Sequence, residues 1–142
     1  MDIKVIRTPN LKRNYTFSSK FMGSVGEALK KKIQVRAQAG VDINNKKFKK
    51  YSTGYANHKG VARTQVDLKV SGDMLRKIKV KSTKNTTTIN ATDYKGKYHQ
   101  YMGAGRGKVK RVWFGSDKGF RKRVLPVLMN REFHRLNKKR VT

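Results

Sequence analysis

The side chains that most often carry out catalysis or bind metal ions are few and dispersed in this chain. Its three histidines, His58, His99 and His134, stand far apart, and there is no cysteine. Zinc sites usually take three or four nitrogen, sulfur or oxygen ligands at recognisable spacing, which these residues lack. The eight carboxylates occur singly, so no pair suited to acid–base catalysis is visible. The sequence therefore predicts a protein that is not an enzyme and uses no metal or other cofactor.

The glycine-rich segment 103–108 invites comparison with a phosphate-binding loop. A Walker A loop needs a glycine where Met102 stands and a serine or threonine where Val109 stands, so both requirements fail. Arg106, between two glycines, could still contact a phosphate through its guanidinium and the exposed backbone. A flexible connector is the favoured interpretation.

Positive charge dominates the composition. The 142 residues include 36 lysines and arginines against 8 aspartates and glutamates, a formal net charge of +28 that is spread along the whole chain. Repulsion at this density destabilises a compact monomer unless counterions or an acidic partner screen it. We therefore expect contacts with DNA or with an acidic protein partner. The candidate contacts are Lys46, Lys47, Lys49, Lys50, Arg106, Lys108, Lys110, Arg121, Lys122, Arg123, Lys138, Lys139 and Arg140.

Aromatic residues interleave with this charge, and stacking of bases on their rings can support binding of single-stranded nucleic acid. No RNP motif, zinc finger or basic-zipper pattern accompanies them, and lysine-rich faces bind phosphates without reading sequence. Composition alone leaves two alternatives open, non-specific binding of a polyanion and docking to an acidic protein. The rings are those of Tyr51, Tyr55, Tyr94, Tyr98, Tyr101 and Trp113.

Hydropathy and cysteine usage bear on the compartment. No apolar run approaches the roughly 18–20 residues that span a bilayer, and the first residues lack the apolar core of a signal peptide. Without cysteine, neither a disulfide framework nor a thiolate metal site can form. We expect the protein to work in a reducing cytoplasm or in a particle assembled there, without a membrane partner.

The first half of the chain is predicted to hold a short strand, one long helix and a long loop. Residues 2–8 favour a strand within a possible extended arm, residues 1–17. Helical periodicity runs from Ser18 or Ser19 to about Ala39, with Ser19 as a cap and Gly40 as the stop signal. Residues 41–66 are mostly polar and are predicted to be a long loop, although their aromatic spacing permits one helical turn.

The second half is predicted to hold a β-hairpin between helical segments. A capped helical turn at residues 71–75 leads into a hairpin over residues 78–91, and a short helix follows at residues 95–102. Trp113 and Phe114 should pack on the core, and Ser116 should cap a C-terminal helix that Pro126 kinks or restarts. The predicted fold is α+β: a single domain, residues 1–142, with a small antiparallel sheet packed against N-terminal and C-terminal helices.

Several short motifs follow one another along the chain in a recognisable order. Ser71–Leu75 is similar to a "TG-x-L" helix start, and the Ile/Val hairpin comes next. Tyr98–Tyr101 with a glycine after it is similar to "Y-x-x-H-Q-x-G", and Arg111–Gly115 is similar to "R-x-F-L-G" before a terminal amphipathic helix. In this order and spacing, residues 41–135 resemble the tail-completion or virion-morphogenesis proteins of tailed bacteriophages. The chain departs from that pattern in its Ser71, its Trp113-Phe114 pair, a missing proline before Arg111 and its higher charge.

This resemblance implies a non-enzymatic structural protein of the virion, assembled in the host cytoplasm. Such proteins form a multimeric ring at the head–tail neck or the tail terminus, and act in tail completion or head–tail joining. The implied partners are other copies of the chain, neighbouring neck, connector or tail proteins and packaged DNA. Residues 71–75 and 111–115 would then define the fold and not the function. The alternative is a non-specific basic nucleic-acid-binding protein.

Overall fold

The computed structural model describes residues 2–5, 16–68, 72–105 and 107–141, with the side chains of residues 16–68, 72–105 and 107–139. Its elements are the strands β1 (Asp2–Val5), β2 (Ile78–Thr83) and β3 (Thr86–Ala91), and the helices α1 (Ser19–Gln38), α2 (Thr53–Lys59), α3 (Asp73–Arg76), α4 (Tyr94–Lys97) and α5 (Leu125–Val141). Two π-helical segments, Tyr98–Met102 and Phe120–Val124, continue α4 and precede α5. The α+β fold predicted from the sequence is confirmed.

Helix α1 forms where the apolar periodicity predicts it. The Ser18 side chain accepts a hydrogen bond from the Phe21 amide at 3.1 Å, and Gly40 follows the helix with a φ of 74°. The cap is therefore Ser18 and not Ser19, because Ser18 has the extended backbone that turns its hydroxyl toward the free amides of the first turn. The predicted bounds of this helix are confirmed.

The sheet has the strand order β1-β3-β2, and both pairings are antiparallel. Thr83 pairs with Thr86, so Lys84 and Asn85 form the two-residue turn of the predicted hairpin, with Asn85 at a φ of 64°. Strand β1 pairs with β3, so the predicted strand at the N-terminus is observed over residues 2–5. The rest of the predicted arm lies mainly outside the described residues.

Helix α1 packs on one face of the sheet, across β2 and β3. Ile33 of the helix and Ile89 of the sheet are fully buried between them. The helix crosses the sheet at Gly26, where a Cβ atom would stand 2.4 Å from Val80 Cγ1 and 2.5 Å from Thr87 Oγ1. Only glycine permits this approach, which brings the apolar stripe of α1 onto the hairpin.

The prediction of a long loop over residues 41–66 is wrong for residues 53–59, which form α2. The Ser52 hydroxyl accepts a hydrogen bond from the Tyr55 amide at 3.3 Å, and Gly60 ends the helix at a φ of 69°. Ala56 is the buried residue of the helix. Local caps and tertiary burial therefore specify α2, and neither is conspicuous in a mostly polar stretch.

The helical segments flanking the hairpin are observed as predicted, with one change of cap. Helix α3 follows Gly72, which provides no side-chain cap, and Ser71 lies outside the described residues. Helix α4 and its π-helical continuation occupy the predicted helix at residues 95–102. The Gly103 amide donates to the Tyr98 carbonyl at 2.6 Å and ends this segment.

Asp117, and not Ser116, caps the C-terminal helical segment. The Phe120 amide donates to Asp117 Oδ1 at 2.7 Å, whereas the Ser116 hydroxyl is buried without a partner among the described residues. The chain accommodates Pro126 by the π-helical segment just before it, since a proline cannot donate to the preceding turn and its ring crowds that turn. Of the apolar residues after Asp117, Phe120 is buried, but Val124 and Val127 are exposed.

A buried ion pair joins α1 to the start of the C-terminal helical segment. Arg36 Nη1 lies 2.9 Å from Asp117 Oδ2, and both side chains are almost fully buried. Arg36 Nη2 also donates to the carbonyls of Trp113 and Gly115, at 2.8 and 3.0 Å. The hydrogen bond from the Phe120 amide and the charge of Arg36 hold the pKa of Asp117 below its usual value, against the opposing effect of burial. One guanidinium thus fixes three points of the segment before α5.

We expect removal of either partner to be strongly destabilising, because the other charge stays buried and unpaired. Arg36→Met and Asp117→Asn should each lower the free energy of unfolding in urea by about 3–5 kcal/mol. The double variant should lose clearly less than the sum of the two, and strictly additive losses would contradict a direct pairing. Glu27→Gln is the control, because it breaks the exposed pair of Glu27 with Lys30 and should cost less than about 1 kcal/mol.

Candidate polyanion-binding cleft

An open cleft of about 1050 Å³ lies beside α2 and α4. Its walls come from the extended chain before α2, from the π-helical segment Tyr98–Met102 and from the turn at residues 103–109, where Ala104 and Val109 form an isolated bridge. The turn predicted as a flexible connector therefore contributes one wall of the cleft. Its middle residue, Arg106, lies outside the described residues.

Gln100 locks the π-helical segment Tyr98–Met102 to the chain at residues 111–114. Its Oε1 accepts hydrogen bonds from the amides of Trp113 and Phe114, at 3.0 and 3.1 Å, and its Nε2 donates to the Phe114 carbonyl at 3.1 Å. Beside it, the Arg111 amide donates to the His99 carbonyl at 2.6 Å. The lock aligns residues 98–100 with residues 111–114, and so places Tyr98, His99 and Arg111 along one side of the cleft.

The indole of Trp113 lies on the core side of the contact between residues 98–100 and residues 111–114. Trp113 is fully buried, and its Nε1 donates to the Gly96 carbonyl at 3.1 Å. A Cβ atom on Gly96 would stand 2.8 Å from the indole Cζ2 atom, so a side chain at this position would displace the ring. The predicted packing of Trp113 and Phe114 on the core is confirmed.

Arg111 is a buried cation on the cleft wall. Its side chain is 5% exposed, its Nη2 donates to the Lys49 carbonyl at 3.1 Å, and its guanidinium lies 5.4 Å from the centre of the Tyr51 ring. Its Nε has no hydrogen-bond partner among the described residues, and no described carboxylate forms an ion pair with it. Burial lowers the pKa of Arg111, and Tyr51 opposes that shift. The cleft wall therefore holds a positive charge that no described carboxylate neutralises.

His99 lines the cleft as a neutral imidazole at pH 7. Burial and, to a smaller extent, the charge of Arg111 lower the pKa of His99 from 6.5 to about 4. Its Nδ1 is buried without a partner among the described residues. His99 is therefore a partly buried, uncharged group of the cleft wall.

Cations and tyrosine rings surround these buried groups. Lys49 and Lys50 line the cleft from the chain before α2, and Arg63 and Lys95 line it from other elements. The Tyr51 and Tyr55 rings are in edge contact with centroids 4.8 Å apart, and the Tyr98 ring lies on the α4 side. No aspartate or glutamate is among the described residues that line the cleft. The arrangement can bind an extended anion that also carries flat or apolar groups.

The structure brings few of the predicted contact residues into this cleft. Lys49 and Lys50 line it, while the others are exposed elsewhere or lie outside the description. Exposed side chains away from the cleft wall are Lys46, Lys47, Lys108, Lys110, Arg121, Lys122, Arg123, Lys138 and Lys139. Arg106 and the side chain of Arg140 are not among the described parts of the chain.

Sequence reasoning missed Arg63, Lys95 and Arg111 as cleft residues. Arg63 stands alone among the cations of the sequence, and Lys95 and Arg111 belong to short mixed stretches, so only folding brings the three together. The usable signal was the interleaving of tyrosines with lysines, because Tyr51, Tyr55 and Tyr98 all line the cleft. Among the runs of consecutive cations, Lys49 and Lys50 reach the cleft, whereas Lys46, Lys47 and residues 121–123 do not.

The Gln100 lock predicts a local stability effect. Gln100→Ala leaves two amides and a carbonyl without a partner, so we expect the free energy of unfolding in urea to fall by about 2–4 kcal/mol. Gln100→Glu keeps the acceptor but loses the donor. Its free energy of unfolding should therefore lie between that of the wild type and that of Gln100→Ala. The neighbouring Tyr101→Ala is the control, since its side chain is exposed and its loss should cost less than about 0.5 kcal/mol. Equal losses for Gln100→Ala and Tyr101→Ala would contradict the lock.

The depressed pKa of His99 predicts a specific loss of stability in mild acid. Well above pH 6.5 the imidazole is neutral in both states, and its contribution to stability is fully present. As the pH falls from 6.5 toward 4, the unfolded chain takes up a proton that the folded chain refuses, so stability falls. Between pH 7 and pH 5 this amounts to about 2 kcal/mol. Over this pH range, the free energy of unfolding of His99→Phe in urea should fall by that amount less than the free energy of unfolding of the wild type. An unchanged pH dependence would place His99 in water.

Among the described residues, no group of three or more histidine, aspartate and glutamate side chains is arranged to hold a metal ion. None of the described helices is both long enough and apolar enough to cross a membrane. No family model matches this chain, and neither a curated protein nor a solved structure matches it.

Proposed function

We propose that this chain is a non-enzymatic structural subunit of a tailed-bacteriophage virion. It belongs to the head–tail neck or the tail terminus and acts in tail completion or head–tail joining as part of a ring. The observation that carries the proposal is the Gln100 lock, in which two of the segments that resemble the family, residues 98–101 and 111–115, hold each other in place.

The lock explains why these residue types occur together at this spacing. The glutamine of the "H-Q" motif needs backbone amides to bind, and the turn that begins at Arg111 provides them through Trp113 and Phe114. The aromatic pair of that turn fills the core, where both side chains are buried. These motifs are accounted for by folding, which supports a protein that functions through its surfaces.

Exposed apolar side chains support a role in assembly. On the C-terminal helical segment, Val124 and Val127 are exposed, and Tyr101 and Met102 are exposed at the end of the π-helical segment. Exposed apolar groups in a chain this charged are candidates for contact with neighbours. A ring subunit needs two different contact surfaces, one for each neighbour, and these two groups lie on separate elements.

Non-specific binding of nucleic acid is the second candidate function. The observation that favours it is the cleft, whose lining includes the cations Lys49, Lys50, Arg63, Lys95 and Arg111 and no described carboxylate. Affinity that depends steeply on salt, without ring formation or incorporation into virions, would favour this candidate. Salt-dependent binding by itself does not decide, because any chain of this charge attracts DNA.

The virion role predicts a defect in particle assembly. Phage carrying a nonsense mutation in this gene should give filled heads without tails, or tails of abnormal length, in negative-stain electron micrographs. Supplying the wild-type gene in trans should restore complete particles. A gene encoding Gln100→Ala should restore them poorly, and one encoding Tyr101→Phe should restore them well. Normal, infectious particles from the nonsense mutant would overturn the proposal and leave nucleic-acid binding as the first candidate.

A further inference from the structure

The carboxylates of this chain are almost all occupied within it, which restricts what can fill the basic cleft. The Asp42 side chain accepts hydrogen bonds from the amides of Asn44 and Lys46, at 2.8 and 2.9 Å. Each of the other carboxylates whose side chain is described forms an ion pair with a cation of its own chain. These pairs are Glu27–Lys30, Asp67–Lys59, Asp73–Arg76, Asp93–Lys77, Asp117–Arg36 and Glu132–Arg135.

A second copy of the chain is therefore a poor occupant for the cleft. Any of its described carboxylates would have to leave a cation of its own, or for Asp42 two backbone amides, before it could neutralise a cation in the cleft. A basic surface pressed against another basic surface is also opposed by Coulomb repulsion. Charge complementarity calls for a different molecule, one that carries several negative charges.

The aromatic lining distinguishes between kinds of polyanion. Tyr98 is 46% exposed and Tyr55 is 38% exposed, so both rings offer a face or an edge to a bound molecule. Tyr51 is in edge contact with Tyr55 and lies near two cations, with Lys59 Nζ 5.1 Å and Arg111 Cζ 5.4 Å from its ring centre. Exposed rings beside backbone-binding cations are the combination that binds unpaired bases, because every base has a flat face to stack.

We propose that this cleft is a binding site for single-stranded nucleic acid. Bases stack on Tyr98 and Tyr55, and the phosphates lie along Lys49, Lys50 and Lys95. Arg111 gives the wall a fixed positive potential, which its burial protects from screening. A duplex does not fit this site as well, since its bases are paired and its stacked faces are covered. The inference goes beyond the virion role, because it concerns the occupant of the cleft and does not depend on ring formation.

The test measures binding of a fluorescein-labelled thymidine 12-mer to the purified full-length chain by fluorescence anisotropy, at about 0.15 M salt. Lys50→Glu, in the cleft, is compared with Lys84→Glu, at the exposed turn of the hairpin. Both substitutions change the net charge equally, so non-specific attraction is matched. We expect Lys50→Glu to weaken binding by about tenfold and Lys84→Glu by no more than about threefold. Equal losses would overturn the proposal and assign the binding to net charge alone.

A second pair of variants tests stacking. Tyr98→Ala should weaken binding by about tenfold, which is within the range for loss of one stacked base, whereas Tyr101→Ala should change it less than about twofold. Both side chains are exposed in the free protein, and unchanged circular dichroism and urea unfolding would confirm that the variants fold. Equal affinity of the wild type for the 12-mer and for the corresponding duplex would contradict a single-strand site.

Competition separates nucleic acid from an acidic protein segment. A glutamate-rich 12-residue peptide should displace the labelled 12-mer only weakly, because it has charge but no base to stack. If that peptide binds as tightly as the oligonucleotide and loses the same affinity in Tyr98→Ala, the cleft is a docking site for protein and the proposal fails. These measurements use purified protein and no virion, so their outcome is separate from that of the nonsense-mutant experiment.

Discussion

The segment between Arg111 and Asp117 has no regular secondary structure, and side chains from other elements satisfy its backbone. Arg36 of α1 binds the carbonyls of Trp113 and Gly115, and Gln100 binds the amides of Trp113 and Phe114 together with the carbonyl of Phe114. A buried backbone without partners costs free energy comparable to a lost hydrogen bond for each group. These side-chain contacts therefore allow an irregular segment to run through the core, and this segment places the C-terminal helical segment and one side of the cleft wall.

Some of the few carboxylates of the chain also bind backbone groups, and some pair with cations. A chain with eight carboxylates against 36 cations could not neutralise its surface, and it does not use them for that purpose. Asp117 caps a helical segment and pairs with Arg36, Asp93 caps α4 through the Lys95 amide and pairs with Lys77, and Asp42 closes a turn. At these three positions negative charge organises the backbone, and the chain keeps a large excess of positive charge. The folded molecule is consequently complementary to anions over most of its described surface.

The cleft and the exposed apolar groups give this surface two different characters. Around the cleft, cations stand beside tyrosine rings, and the chemistry favours an extended anion with flat groups. On the C-terminal helical segment, Val124 and Val127 are exposed among Arg121, Lys122 and Arg123, and the chemistry favours a protein surface that covers apolar groups and supplies carboxylates. A structural subunit that contacts neighbours on one side and a polyanion on another is consistent with both.

Local patterns in the sequence were sufficient for most of the secondary structure. Helix α1 follows from its apolar periodicity and the stop at Gly40, and the hairpin follows from alternation on either side of Lys84 and Asn85. Helix α2 was missed because its signals are a single cap, a single buried alanine and a terminal glycine within a polar stretch. The cap of the C-terminal helical segment was assigned to Ser116, since serine and aspartate both cap well and only the pairing with Arg36 selects Asp117.

By itself the sequence determined the fold class, the basic character and the aromatic–cationic composition of the binding surface, because these depend on periodicity and on counts of residues. Tertiary structure alone decided which cations act together. Lys49, Arg63, Lys95 and Arg111 are scattered over more than 60 positions. They meet because Arg111 donates to the Lys49 carbonyl, Arg63 donates to the Tyr51 carbonyl, and Gln100 holds residues 98–100 beside residues 111–114. No sequence pattern marks which cations form this site. The free energy that creates the site comes from long-range hydrogen bonds and burial, and neither can be inferred from spacing along the chain.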